Sequence, residues 1–192
     1  GETLSDLFYQ CLGLLFRGKR NGKGARLYAT WLREALLKLE KEGVVERRDV
    51  APHNILPINV VPKGTDGKKF RFILDARTVN AYLKPWDMRM ETVARSRHIF
   101  EAGAWMTTVD LSQGYFHNRI HDDFTKFLGF QFEDQYWVHV ALPMGLRISA
   151  SLFSKTVRQL VIKWRAQGIV LCHYLDDFCI VAQSKKSAAA HS

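Results

Sequence analysis

The chain has 192 residues, 47% of them hydrophobic, enough for one large domain or two small ones with a core. Twenty-eight Lys and Arg against nineteen Asp and Glu leave a net charge of +9, which points to a polyanionic partner without saying which. No apolar stretch approaches the roughly 20 residues of a membrane span, Gly1-Glu2-Thr3 opens no signal peptide, and Cys11, Cys172 and Cys179 are too few for a disulfide scaffold. An intracellular protein without a membrane partner is therefore expected.

Leu4, Leu7, Phe8, Cys11 and Leu15 give residues 3–16 the spacing of a short amphipathic helix. Residues 17–24, Arg-Gly-Lys-Arg-Asn-Gly-Lys-Gly, read as a mobile basic loop. From Arg17 to Arg48 there are ten Lys or Arg against four Glu. Tyr28, Leu32, Leu36 and Leu39 share one face of the next helix, which Gly43 should stop. Strands over Ile55–Pro62 and Lys69–Leu74 flank Thr65-Asp66-Gly67, and Asp-Gly between apolar runs signals a hairpin.

Pro85 should end a short helix through Val79 and Leu83, and a further helix is expected from about Glu91 to Glu101. Trp105–Val109 reads as a strand ending at Asp110. Phe127–Phe132 and Tyr136–Leu142 form a second hairpin around Glu133-Asp134-Gln135. A long helix then turns Leu152, Thr156, Leu160, Val161 and Trp164 inward and stops at Gly168. Ile169–Cys172 and Phe178–Val181 make a final hairpin, and Ser184–Ser192 reads as the start of a helix. The order is α+β, with an antiparallel central sheet expected.

Between the last two strands stands Tyr174-Leu175-Asp176-Asp177. A tight turn there lifts two adjacent carboxylates to its tip, where they repel unless a cation sits between them or one is neutral. Asp110, at the end of its own strand, supplies a third acid if that strand lies beside the hairpin. Three carboxylates suit two hard Mg²⁺ ions completed by nucleotide phosphates. Such ions lower the pKa of an attacking 3′-hydroxyl and stabilise leaving pyrophosphate.

Five segments in order resemble the blocks of reverse transcriptases from retroviruses and related retrotransposons, over about residues 30–183. They are residues 39–45 (Leu-Glu-Lys-Glu-Gly-Val-Val), 70–80 (Phe-Arg-Phe-Ile-Leu-Asp-Ala-Arg-Thr-Val-Asn), 108–116 (Thr-Val-Asp-Leu-Ser-Gln-Gly-Tyr-Phe), 142–147 (Leu-Pro-Met-Gly-Leu-Arg, with Ser149 and Phe153) and 174–177. The resemblance implies a right-hand polymerase fold, with residues 1–104 mainly fingers and 105–192 mainly palm. The boundary is approximate, the two regions are open to interleaving, and the chain is expected to stop before a thumb. It implies Asp110, Asp176 and Asp177 as catalytic acids and Asp110, Leu111, Asp176 and Asp177 as ligands of two Mg²⁺, with Mn²⁺ as a substitute. Lys63, Arg71, Tyr115, Met144 and Gly145 would bind the deoxynucleoside triphosphate, Tyr115 by excluding a 2′-hydroxyl. Arg77, Asn80 and Tyr174 would contact an RNA or DNA template and its primer.

Two departures stand out. Met144 replaces a usual Gln or aromatic, and Ala150 replaces a frequent Pro, which should leave the following helix start less fixed. Other readings are weaker. Residues 13–20 imitate a phosphate-binding loop but end in Arg20. His117 and His121 have ligand spacing but no Glu partner, and Asp122-Asp123 reads as an exposed connection. A non-catalytic nucleic-acid-binding or scaffold domain is the alternative; an RNA-dependent RNA polymerase is disfavoured by Tyr115.

Overall fold

The computed structural model describes residues 20–64, 67–84, 90–91 and 93–190. The helix expected over 3–16 lies outside them. The described residues begin with helices α1 (Lys23–Leu27) and α2 (Ala29–Lys41), then strands β1 (Val45–Arg48), β2 (Ile55–Leu56), β3 (Ile58–Lys63) and β4 (Lys69–Leu74). Helices α3 (Arg77–Tyr82) and α4 (Val93–Ser96) follow, the latter running into a 3-10 turn at Arg97–Ile99. Strand β5 (Trp105–Asp110) leads to a 3-10 turn at Gly114–His117, helix α5 (Asp122–Thr125) and strands β6 (Gly129–Phe132) and β7 (Gln135–His139). The long helix α6 (Ser149–Ala166), strands β8 (Val170–Tyr174) and β9 (Asp177–Ala182) and helix α7 (Lys185–Ala190) complete the order.

Two compact units result: Gly1–Pro85 with Tyr115–Ser149, and Trp86–Gly114 with Ala150–Ser192. Residues 86–104, placed with the first region in the sequence, thus fall in the second unit, and 115–149 fall in the first.

The first unit holds a four-stranded sheet in the order β1-β7-β6-β2 and a two-stranded ribbon, β3-β4. All pairs are antiparallel except β2–β6, which is parallel over Ile55↔Gly129 and Leu56↔Phe130. The single strand expected over Ile55–Pro62 is therefore two. Pro57 has no N–H to give a ladder, and the chain changes sheet there. Strand β1 was not visible in the sequence at all, because Val-Glu-Arg-Arg has one apolar residue; Val45 is buried while Arg47 lies over the Trp137 ring at 5.0 Å.

The expected mobile loop is also corrected where the structure describes it. The Asn21 amide donates to the Gln131 carbonyl (2.8 Å) and accepts from the Ile58 N–H (3.2 Å), and Gly22 N–H donates to the Ile58 carbonyl (2.8 Å). With those ends fixed, residues 23–27 close a short helix on β3. Helix α2 buries Leu32 and Leu36, one turn apart, and Val44 N–H returns to the Leu39 carbonyl past Gly43 (2.8 Å), as its expected stop requires. On the ribbon, Phe70 meets the rings of Tyr28 (4.5 Å) and Trp31 (5.5 Å), and Phe72 meets Phe130 (5.4 Å).

In the second unit the sheet is β5-β9-β8, antiparallel throughout. Its inward face carries Leu171, Phe178 and Ile180, all buried. Phe178 meets Trp164 of α6 edge-on at 5.4 Å; burying such a ring is worth about 1.5–3 kcal/mol. Helix α6 buries Phe153, Val157 and Val161, spaced by four, whereas Thr156 is exposed, contrary to expectation. The inward stripe is rotated by one residue from the one inferred. The helix expected over 91–101 shrinks to α4 and its 3-10 turn. Among its described side chains only Ser96 is buried, so no apolar stripe sustains a longer helix. At the C-terminal end, Ser184 caps α7 by accepting from Ser187 N–H at 3.1 Å.

Candidate active site

Strands β8 and β9 are joined by two residues, Leu175 and Asp176, with Tyr174 facing Asp177. Leu175 adopts φ 55°, a left-handed conformation that a branched side chain disfavours. The same β9 pairs with β5 along its whole length, ending on Asp110↔Asp177. One rung further, Leu111 N–H donates to the Asp176 carbonyl at 3.0 Å. The register therefore brings Asp110, Asp176 and Asp177 to one end of one sheet. Asp110 and Asp177 are exposed and Asp176 is half-buried.

Behind them the chain is braced on two sides. Gly114 N–H closes a turn on the Leu111 carbonyl (3.2 Å), and a Cβ on the buried Gly114 would meet the Phe153 ring at 2.5 Å. Only glycine lets the turn after Asp110 lie against that ring. On the other side, both carboxylate oxygens of Glu91 accept from Arg165 Nη2 (2.8 and 2.9 Å), which also donates to the Leu171 carbonyl (2.9 Å). Glu91 Oε2 lies 3.3 Å from His173 Nδ1, and the His173 ring stacks on Phe178 at 5.8 Å. Burial pushes the Glu91 carboxyl up, but the bonds and charge of Arg165, with His173, outweigh it and hold it below its ordinary 4.5. A cavity of about 470 Å³ reaches from this brace to Asp110 and Asp177, lined also by Glu91, Thr108, Cys172 and Tyr174 among others.

Among the described residues no ion pair or side-chain hydrogen bond compensates any of the three aspartates. Facing like charges in a ladder are destabilising on their own. Their hard oxygens are the donor type that Mg²⁺ and Mn²⁺ prefer, so the residues fit a divalent ion by chemistry. The carboxylates are nonetheless not drawn round a common point: among the described residues no three His, Cys, Asp or Glu side chains form a ready metal cluster.

In the first unit a second like-charged group appears. Lys63 faces Lys69, and Arg71 faces Val61. Because side chains alternate along a strand, Lys63, Lys69 and Arg71 stand on one exposed face of the ribbon. Nearby in the same unit, the loop 143–147 is held by Asn80. Its amide donates to the Gly145 carbonyl (2.8 Å) and accepts from Arg147 N–H (2.7 Å). Gly145 has φ 92°, and a Cβ there would come within 3.5 Å of the Leu74 carbonyl. Met144 is exposed on this loop. Arg77 forms a bidentate pair with Asp75 at 2.8 and 2.6 Å. Tyr115 is half-buried in the 3-10 turn, and Tyr174 is exposed.

The sequence profile of the reverse transcriptase (RNA-dependent DNA polymerase) family matches residues 61–192, more than half of the chain. The chain belongs to that family. Among curated relatives, the Gag-Pol polyprotein of Walleye dermal sarcoma virus is 28% identical over 163 residues, covering 80% of this chain and 9% of that polyprotein. Among solved structures, the prototype foamy virus protease-reverse transcriptase is similar in its CSH mutant form (TM-score 0.76, 21% identity, 92% of this chain and 22% of that one). Its native form is similar too (TM-score 0.74, 21% identity, 91% and 22%). This reverse transcriptase segment thus spans less than a quarter of the relatives it matches. Its α+β fold, of largely antiparallel sheets with helices, is that of these neighbours.

Within this reverse transcriptase, the structure gathers Asp110, Leu111, Tyr174, Asp176 and Asp177 in one unit and Lys63, Arg71, Arg77, Asn80, Tyr115, Met144 and Gly145 in the other. It also brings forward residues that the sequence did not mark. The Lys63↔Lys69 register places Lys69 beside the two expected cations. Period-two counting from Arg71 would have found it. Glu91 was read only as a helix start, and nothing in the sequence links it to Arg165 or His173 across more than 70 residues. The start of α6, expected to be loose without a proline, is held by the Ser149 hydroxyl donating to the Pro143 carbonyl at 2.8 Å. His121 caps α5 through a long bond from Asp123 N–H (3.4 Å), so Asp122 and Asp123 begin a helix rather than a connection.

Proposed function

We propose that this chain is the nucleotide-adding region of a retroviral-type reverse transcriptase, making DNA on an RNA or DNA template from deoxynucleoside triphosphates. The observation that carries the reading is the Asp110↔Asp177 register, with Asp176 tied to Leu111: three uncompensated carboxylates at one sheet end, two of them on different strands. Asp110, Asp176 and Asp177, with the Leu111 main chain beside them, would hold two Mg²⁺, or Mn²⁺ in their place. Bound there, the ions supply an activated 3′-hydroxyl and a stabilised pyrophosphate leaving group.

The chain's own residues bind and orient. Lys63, Lys69 and Arg71 offer cations to a triphosphate, the guanidinium in bidentate fashion. Tyr115 sets a ring against the sugar and so favours the deoxy form. Met144 and Gly145 border the nascent base pair by shape rather than by side-chain hydrogen bonds. Asn80, both ends of whose amide are engaged on residues 145 and 147, fixes that border; Tyr174 and Arg77, the latter held by Asp75, would meet template and primer. In the domain language of the family, the first unit corresponds mainly to fingers and the second mainly to palm, with the chain passing between them more than once. Such a protein works inside a cell or a virus-like particle.

The test is primer extension on poly(rA) by the full-length parent protein in Mg²⁺. Asp176→Asn should reduce extension by about 10³-fold or more, the several kcal/mol that metal-ion stabilisation is worth. Undiminished Mg²⁺-dependent extension in that variant would remove the two-ion assignment.

A further inference from the structure

Cys172 on β8 stands directly opposite Cys179 on β9. Since side chains alternate, Cys179 shares a sheet face with Asp177, and the facing residue on β5, Thr108, shares it with Asp110. The two cysteines therefore sit two rungs from the Asp110↔Asp177 pair and line the same cavity. Both are free thiols, Cys172 buried and Cys179 half-buried. Nucleotide addition has no use for either.

Facing residues of an antiparallel pair have Cα atoms about 4.5–5.5 Å apart, inside the roughly 4.4–6.8 Å that a disulfide accepts. We propose that Cys172 and Cys179 are a redox modification site, at which hydrogen peroxide converts the facing thiols to a cross-strand disulfide that closes the hairpin carrying Asp176 and Asp177. The more accessible Cys179 sulfur attacks one peroxide oxygen, breaking the O–O bond, and becomes a sulfenic acid as water leaves. The Cys172 sulfur then attacks the sulfenic sulfur, forming the S–S bond and expelling a second water. Two thiols lose two electrons and two protons in all, and one peroxide becomes two waters. Burial and the neighbouring Cys179 push the Cys172 thiol up, which suits it to the second step rather than the first.

The bridge is reversible. Facing Cβ atoms lie about 4.5–5.5 Å apart in a ladder, wider than the roughly 3.5–4.5 Å of a relaxed disulfide. Bridging therefore draws β8 and β9 together, and a strained bond of this kind is readily reduced. Oxidation depends on the sheet alone and holds whether or not the carboxylates bind metal.

The test uses the full chain with Cys11→Ser, so that a third thiol does not compete. After millimolar hydrogen peroxide, intact mass should fall by two hydrogen atoms. Both iodoacetamide labels should be lost, and dithiothreitol should restore them. Peptide mapping should join residues 172 and 179. With Cys172→Ser added, Cys179 should gain oxygen instead, with no loss of hydrogen; Cys179→Ser gives the converse control if the first variant does not fold. Two alkylatable thiols remaining under conditions that fully oxidise free glutathione would overturn the site. So would a bridge that forms only between two chains.

Discussion

The β3–β4 ribbon and the β8–β9 hairpin are built to the same plan and finished differently. Each concentrates one sign of charge on one face: Lys63, Lys69 and Arg71 on the ribbon, and Asp177 with Asp110 beside it on the hairpin. Each sets a phenylalanine against a histidine, Phe72 with His139 at 6.0 Å and Phe178 with His173 at 5.8 Å. The ribbon's connection has glycines at positive φ, Gly64 at 81° and Gly67 at 63°, whereas the hairpin's has Leu175 at 55°. His139 is buried, with no hydrogen bond on either nitrogen among the described residues, while His173 has Glu91. The cations thus stand beside glycines that hold a positive φ at little cost. The carboxylates ride on a strained turn, held by its surroundings, as strain at functional sites generally is.

The largest expected difference is in acid. Burial lowers His139 to about 4 from an ordinary 6.5; the Ala141 backbone pulls weakly the other way without completing a hydrogen bond. Above pH 6.5 both folded and unfolded states are neutral there. Between 6.5 and about 4 the unfolded chain binds a proton that the folded chain refuses, so stability falls as pH falls, by about 3 kcal/mol in total. Glu91 also loses its contribution on acidification, but only below its ordinary 4.5, because its folded value lies lower still. Urea unfolding from pH 7.5 to 4 should show the upper decline, and His139→Leu should flatten it. An equal decline in that variant would place the acid sensitivity elsewhere.

How much of this was legible in the sequence follows from the same contrast. The hairpin was readable because its strands are apolar on both sides of a polar turn, and the third acid because it ends an apolar strand. The register that puts Asp110 against Asp177 was an assumption; no local pattern chooses which strand pairs with which. On the ribbon the elements were found, but Pro57 was read through as strand, and Lys69 was not singled out because hydrophobicity does not rank one exposed lysine over another. Strand β1 and helix α1 escaped for a common reason. Their stability comes from partners distant in sequence, β7 and β3, and not from their own composition.

Next in size is the effect of emptying the ribbon's charged face. Arg71→Ala should raise the KM for deoxynucleoside triphosphate about 10–100-fold in primer extension by the full-length parent, since hydrogen bonds to charged groups are worth about 1.5–3 kcal/mol. Lys69→Ala should act in the same direction but less, a point charge replacing no bidentate contact. Neither should alter melting temperature appreciably, because both side chains are exposed. If Arg71→Ala lowered kcat with KM unchanged, the cation would be acting on the transition state alone. If neither parameter moved, the ribbon's charge would be a solvated surface after all.

The smallest effect tests the turns themselves. Gly67 has positive φ and open space around it, so Gly67→Ala changes only the backbone conformation that must be held. It should lose about 1 kcal/mol, the approximate cost of a left-handed L-residue. At Leu175 that cost is already present. Leu175→Gly relieves it but loosens the unfolded chain by about 0.5–1 kcal/mol, so stability should change by less than about 1 kcal/mol in either direction. Denaturant midpoints of the two variants, measured side by side, decide the matter. A loss at Leu175 as large as that at Gly67 would mean that the half-buried leucine side chain, rather than the β5–β9 ladder and the Leu111–Asp176 bond, keeps the carboxylates at the tip.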